Sequence, residues 1–396
     1  MALRVLSLST LYPSAASPNF GRFVELSLDA AEAVGGAEIV RMSPNGLPPW
    51  PMAKTLPGYR QKGNLPTEDE WRGKRILRPR FTLFPGILPA RNPTAIVRSI
   101  LPLVRRLHAQ KPFDLIDAQF FWPDGPAAMA MAAELGLPFS VKARGADIHH
   151  WSTIAGCAPQ LGATIGAAAG LLAVSQAMAD DLIQLGADPS KITVHRTGID
   201  RSLFHVPAQS RTELRQMAGL CTEGPLLVSV GALIPRKGQV FAIEALAQIP
   251  ASRLVLIGDG EDRAMLGERA GEIGVADRVH FFGSLPHADI ARIVQAADIA
   301  VLPSSSEGLA NAWIEALACG TPLVITDCGG AREVLNHPAA GQIVDRSANA
   351  ITRAIKALLA DPPARKAVAA CVAEYSWEAN GAALVAHWQK IVAATV

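Results

Sequence analysis

Ser304-Ser305-Ser306-Glu307-Gly308-Leu309-Ala310-Asn311-Ala312-Trp313-Ile314-Glu315-Ala316-Leu317-Ala318-Cys319-Gly320-Thr321-Pro322 is the stretch on which the reading turns. Two glutamates, with seven residues between them, bracket the start of an apolar helix. Gly320 stops that helix, Pro322 leads into the strand Leu323-Val324-Ile325-Thr326, and Gly329-Gly330 opens the next turn. Helix beginnings leave N–H groups unpaired and carry positive dipole charge, so Gly308, Leu309, Ala310 and Asn311 suit an anion. Carboxylates in such a place suit hydroxyl groups, whose hydrogens they can accept. Phosphate at the helix start and hydroxyls at the carboxylates together describe a sugar nucleotide. A capping box does not explain the spacing, because Glu315 lies four residues beyond a cap at Asn311, not three.

The whole chain repeats strand, helix, strand. Short apolar runs at Val5–Ser9, Leu115–Ala118, Phe139–Lys142, Leu171–Val174 and Ile192–His195 read as strands of a first half. Leu226–Val230, Leu254–Ile257, Val279–Phe282, Ile299–Leu302 and Leu323–Thr326 read as those of a second. Helical segments lie between them, which argues for α/β architecture with doubly wound parallel sheets. In such sheets ligands bind beyond the carboxyl ends of the strands, so the loops after strands carry the information.

One such loop is Gly231-Ala232-Leu233-Ile234-Pro235-Arg236-Lys237-Gly238. A diphosphate gains charge as the glycosidic bond to it breaks. Cations fixed beside it therefore favour the transition state over the ground state. Arg236 offers a fork matched to phosphate and Lys237 a compact charge. A solvated helix start explains them poorly, since cations oppose the helix dipole there.

The run from Glu307 to Glu315 resembles the E-x7-E signature of glycosyltransferase family 4, retaining enzymes of the GT-B fold. The resemblance implies two Rossmann-like domains with the active site in the cleft between them. It implies a sugar moved from a nucleotide-diphosphate sugar, of UDP or GDP type, to an acceptor hydroxyl. Glu307 would reach hydroxyls of the donor sugar and Glu315 the ribose. Arg236 and Lys237 would bind the diphosphate, although Ala232 stands where many relatives carry Arg. Gly258-Asp259-Gly260 would line the nucleotide site, and the backbone of Gly283-Ser284-Leu285-Pro286 would meet the base, at Leu285. Gly231, Gly308, Leu309, Ala310 and Asn311 belong to the same donor set. In the first half, Gly21 matches the family's flexible glycine loop near donor phosphate. Arg144-Gly145-Ala146-Asp147 matches the acceptor side, with Asp147 as its catalytic candidate. His195-Arg196-Thr197-Gly198-Ile199-Asp200 matches the domain junction, with Thr197 for the usual Asn.

The expected domains are 1–205 for the acceptor, 206–374 for the nucleotide sugar, and a final helix in 375–396 that packs back on the first domain. Pro44–Pro93, rich in proline and poor in periodicity, reads as a long irregular insertion. No Asp-x-Asp and no G-x-x-x-x-G-K-[ST] occurs, so neither a bound metal nor another cofactor is expected and an ATPase is excluded. A sugar-phosphate synthase, a nucleotide-sugar epimerase and a catalytically silent scaffold subunit are the alternatives. Intact Glu307, Glu315, Arg236 and Lys237 speak against the scaffold.

A formal charge of +2 gives no reason to expect a nucleic-acid partner, and 49% hydrophobic residues suit a globular protein. Five scattered cysteines fit a reducing cytoplasm. The apolar run Leu161 to Val174 is too short for a span and reads as helix then strand; the N-terminus reads as a first strand, not a signal peptide. Between Glu70 and Asp114 there are ten Lys and Arg residues and no acid, mixed with apolar side chains. That composition suits either an ordinary amphipathic helix with a basic solvated face or peripheral contact of residues 71–111 with the anionic inner face of a membrane; the latter goes with a lipid-linked or glycan acceptor in exopolysaccharide, lipopolysaccharide or other glycoconjugate assembly.

Overall fold

The computed structural model describes residues 2–56 and 58–395. The chain divides into two compact units. One runs to Gly198 and takes in Trp377 onward; the other is Ile199–Ser376. The division falls at Gly198 rather than at 205, because Ile199 and Phe204 are buried in the core of the second unit. Tyr375 is buried in that core as well, so the final segment leaves at Trp377 and not at 375.

The second unit is a six-stranded parallel sheet. Its spatial order is Val279–Gly283, Arg253–Ile257, Leu226–Val230, Ile299–Leu302, Leu323–Thr326, Gly341–Val344. Strands buried on both faces read as continuous apolar runs, as Leu-Val-Ile-Thr and Ile-Ala-Val-Leu do here. Alternate residues feed different cores. Leu226, Val228, Val255 and Ile257 pack on one face with Trp313 and Leu317, while Leu227, Leu254 and Leu256 pack on the other with Ile243 and Ile355. The order reverses direction at Leu226–Val230, whose neighbours are the second strand in sequence and the fourth. The carboxyl ends of Leu226–Val230 and Ile299–Leu302 therefore flank the switch point, where α/β sheets bind ligands.

The first unit is built on an eight-stranded sheet in the order Ile192–Val194, Gly170–Ala173, Phe139–Ala143, Leu115–Ala118, Leu3–Leu8, Ala37–Met42, Lys74–Leu77, Glu68–Trp71. All neighbours are parallel except the last pair. The segment expected to be irregular thus supplies two strands to this sheet. It also supplies a small parallel pair, Asn45–Leu47 with Arg80–Thr82. Most of the ten cations between Arg72 and Lys111 have acidic partners. Arg72, Lys74, Arg75, Arg78, Arg105 and Lys111 are paired with Glu25, Glu32, Glu68, Asp69, Glu134 and Glu38. Every one of these acids lies outside the basic run, which is why the run looked unbalanced. No helix among the described residues is long and apolar enough to cross a membrane.

The last helix, Trp377–Thr395, lies against Arg22–Val34. Gly381 lets the backbones touch: a Cβ there would stand 2.4 Å from Ala30. Ser27 donates to Asn380 (2.7 Å), and His195 Nε2 donates to the Asn380 carbonyl (2.9 Å). His387 is buried between Ser140 (3.1 Å) and Thr193 (3.2 Å). Burial first, then the Lys390 and Lys142 charges, pushes its pKa down to about 4. A histidine held neutral in the fold contributes stability that is complete above its unfolded pKa. That contribution is lost as pH falls through the folded value, here worth about 3 kcal/mol. Asp124 acts in the opposite sense, because burial raises its pKa to about 7. The melting temperature of the protein alone therefore mixes both. The difference between wild type and His387→Gln isolates the histidine, and it should shrink as pH drops from neutral to about 4. A pH-independent difference would mean that His387 is not held neutral.

Candidate active site

The loops after Leu226–Val230, Arg253–Ile257 and Ile299–Leu302 build one site. After the first strand the chain passes Gly231 and enters a short 3-10 turn, Pro235–Lys237, then the helix Gln239–Leu246. Gly258, at φ 134°, closes the next strand with its Cβ position only 2.0 Å from the Gly231 carbonyl oxygen, so no side chain fits. The Leu233 N–H donates to the Asp259 carbonyl (3.0 Å), and the Asp262 N–H to the Leu233 carbonyl (3.0 Å). The Gly258-Asp259-Gly260 turn is thereby locked to the loop that carries the cations.

The third strand delivers Ser304 to Gly308. Lys237 Nζ lies 2.5 Å from Glu307 Oε1, and Arg236 Nη1 lies 3.2 Å from Glu307 Oε2. Arg236 also donates to the Ser306 carbonyl. Glu307 is buried, only 8% exposed. Burial pushes its carboxyl up, but Lys237 and Arg236 beside it outweigh that and hold it below the usual carboxylate range. Two cations on one carboxylate leave the cluster with a net positive charge. Gly329, at φ 50°, presses on this loop: a Cβ there would stand 2.1 Å from the Glu307 carbonyl oxygen. The Gly330 N–H donates to the Gly308 carbonyl (2.8 Å).

The helix Asn311–Ala318 follows. Its cap is Ala310, with no side-chain hydrogen bond, rather than Asn311, which is the first helical residue. No side-chain cap takes up the N–H groups of Asn311 and Ala312, although the Trp313 N–H donates to the Ala310 carbonyl (3.0 Å), and they add partial positive charge beside the cationic cluster. Trp313, Ile314 and Leu317 are buried and fix the roll of the helix. Asn311 and Glu315, four apart, share the less buried face. Leu309, Ala310 and Leu285 are half-buried and pack on the core of this unit.

Sequence reasoning missed Arg346. Its Nε donates to the Pro303 carbonyl (2.9 Å), and its Nη2 to the carbonyls of Pro235 (2.7 Å) and Arg236 (3.2 Å). The guanidinium also lies 5.0 Å from the Phe241 ring centroid. It ties the cationic turn to the strand that carries Glu307. A lone Arg two residues past a strand gave no signal.

Gly21 and Asp147 belong to the other unit. Gly21 is buried at φ 74°, with Leu11 backbone 2.4 Å from its Cβ position, so its place is set by packing. Asp147 is bound to the backbone of its own unit. It is wholly buried, and its carboxylate accepts from the N–H groups of Phe121 (2.9 Å), Arg144 (2.9 Å) and Gly145 (2.8 Å). Burial raises its pKa against those donors. It shapes the loop that follows Phe139–Ala143. A pocket of about 240 Å³ does open in this unit, past the carboxyl ends of Leu3–Leu8 and Ala37–Met42, lined by Thr10, Tyr12, Asn45, Lys62 and Arg78 among others. Among the described residues no cluster of His, Cys, Asp or Glu is arranged to hold a metal ion.

Comparison with known proteins gives the following. Residues 60–203 match the family described as "Glycosyltransferase Family 4", and residues 210–371 match "Glycosyl transferases group 1". The chain is 29% identical over 361 residues to the "Putative teichuronic acid biosynthesis glycosyltransferase TuaC" of Bacillus subtilis (strain 168), covering 89% of this chain and 88% of that protein. It shares its fold with sucrose-phosphate synthase from Thermosynechococcus elongatus at a TM-score of 0.82 and 22% identity, over 99% of this chain and 100% of that one. Anabaena HepE in complex with UDP-glucose aligns at a TM-score of 0.67 and 22% identity, over 99% of each chain. At such identities the two structures speak for the fold alone.

Proposed function

Because the chain belongs to glycosyltransferase family 4 and has the GT-B fold, we propose that it transfers a sugar from a nucleotide-diphosphate sugar to an acceptor hydroxyl, with retention at the anomeric carbon. The observation that carries this reading is the Arg236–Lys237–Glu307 cluster beside the uncapped start of Asn311–Ala318. Lys237 and Arg236 hold the diphosphate and stabilise the charge it gains as the bond to the anomeric carbon breaks. The N–H groups of Leu309, Ala310 and Asn311 add to that stabilisation. Glu307 accepts hydrogen bonds from sugar hydroxyls and Glu315 from the ribose. The anomeric carbon–oxygen bond breaks with its electron pair left on the diphosphate. The acceptor oxygen adds from the same face and its proton passes to the departing phosphate oxygen. The side-chain cations and the helix start do what a divalent ion does elsewhere, so the reaction runs without metal.

The donor is of UDP or GDP type; HepE, of the same fold, has been seen with UDP-glucose. The acceptor is lipid-linked or glycan, bound on the first unit at the pocket past Leu3–Leu8. We place the enzyme on the cytoplasmic side with peripheral membrane contact. Slow hydrolysis of UDP- and GDP-sugars, followed by proton NMR with and without EDTA, tests the reading. An α-linked donor should release the α sugar first, at a rate within about twofold in EDTA. Release of the β anomer, or a complete loss that Mg²⁺ restores, would overturn it.

A further inference from the structure

The strands Asn45–Leu47 and Arg80–Thr82 pair in parallel, with Leu47 opposite Thr82, and the Leu83 N–H donates to the Leu47 carbonyl (3.0 Å). Parallel pairing sends both following segments out of the same end. Residues 48–56 and 83–91 therefore leave this small sheet side by side. These two runs carry five of the large apolar side chains that the protein exposes. Trp50 is 78% exposed and Ile87 62%, and Met52, Phe84 and Leu88 are exposed with them. Single exposed apolar residues need no explanation, but a group of this size at one end of a sheet does.

The charge around the group is of one sign. Lys54, Arg60, Lys62 and Arg91 form no ion pair among the described residues. Lys62 instead lies 5.6 Å from the ring of Phe20, another exposed aromatic. No Asp or Glu occurs in residues 48–63 or 83–106. The cations of the neighbouring basic run differ, since most of them are neutralised by carboxylates.

We propose that the segments 48–56, 58–62 and 83–91 form the face by which the enzyme docks on an anionic phospholipid surface. Trp50, Met52, Ile87 and Leu88 enter the boundary between headgroups and acyl chains, where tryptophan is favoured. Lys54, Arg60, Lys62 and Arg91 meet the headgroup phosphates. The inference rests on the peripheral contact proposed above; within the run 71–111 it narrows that contact to residues 83–91, and it adds the segment before the run that lies beside them. The same segments line the pocket proposed for the acceptor, through Tyr59 and Lys62. A lipid-linked acceptor would thus be presented where the protein touches its membrane.

The test is co-sedimentation with phosphatidylcholine vesicles, with and without phosphatidylglycerol, at low and high salt. Three proteins are compared: wild type, the loop variant Trp50→Ser/Ile87→Ser/Leu88→Ser, and the helix variant Arg98→Glu/Arg106→Glu. Melting curves confirm that each is folded. Wild type should bind the anionic vesicles better, and less so as salt rises. The loop variant should lose roughly tenfold or more of that partitioning, and the helix variant much less. Loss in the helix variant with binding kept in the loop variant would overturn the inference and leave membrane contact standing. No preference of wild type for anionic vesicles would overturn both. A concentration-dependent dimer that only the loop variant loses would assign the face to a second copy and overturn the inference.

Discussion

Lys237→Ala is expected to lower kcat/KM by about 10²–10³, the loss typical of one preorganised charge in a closed site. Lys237 is the shorter of the two contacts to Glu307, at 2.5 Å against 3.2 Å for Arg236. Without it one cation faces one carboxylate, and the cluster no longer carries net positive charge to offer a diphosphate. Most of the loss should fall on kcat, because the charge on the leaving group grows as the bond breaks. Folding should change little. The side chain is at the end of a short turn that Arg346 anchors independently through the Pro235 and Arg236 carbonyls. Lys237→Arg should recover part of the rate, since charge returns with a different shape. Donor hydrolysis and melting temperature, measured together, decide the matter. A folded Lys237→Ala protein with near-wild-type turnover would remove this residue from the mechanism.

The two glutamates should separate by ligand. Glu315→Ala should weaken a nucleoside diphosphate and its sugar conjugate alike, by roughly 10–100-fold, because the ribose is common to both. Glu307→Ala should weaken the conjugate by a similar factor. It should leave the free diphosphate unchanged or bound more tightly, since Lys237 and Arg236 would no longer be held by a carboxylate. Titration calorimetry of UDP and UDP-glucose, or of the GDP pair, against both variants reads this directly. Equal losses for both ligands in Glu307→Ala would contradict its place at the sugar.

The second unit was legible because its chemistry and its fold use the same residues. Runs such as Leu226–Val230 and Leu323–Thr326 are apolar without interruption, and the turns that follow them hold the glycines, cations and glutamates. The first unit was less so. Glu68–Trp71 is an edge strand made mostly of charged residues, and Lys74–Leu77 beside it sets two cations before Ile76 and Leu77, so neither shows an apolar period long enough to announce it. Ala37–Met42 hides a buried Arg41, whose terminal nitrogens pair with Glu32 and Asp29 from the helix Arg22–Val34. Partners of that kind are distant in sequence, and so are the acids that neutralise the basic run. The backbone hydrogen bonds that Asp147 accepts were hidden for a related reason. A carboxylate after a strand looks the same in sequence whether it faces a ligand or closes its own loop. The direct pairing of Glu307 with both cations was also not visible. The sequence assigned them to different parts of one donor, and only the packing of two loops around Gly329 and Arg346 shows them touching.

The most direct test of the central claim is a thermal-shift series with UDP, GDP and ADP on wild type and on Lys237→Ala/Glu315→Ala. A ligand that binds only the folded state raises the melting temperature by mass action. One uridine or guanosine diphosphate should stabilise wild type clearly, and the double variant should lose that shift while melting near wild type without ligand. No shift with any of the nucleotides, or an equal shift in the double variant, would mean that the Arg236–Lys237–Glu307 cluster and the helix Asn311–Ala318 are not the donor site.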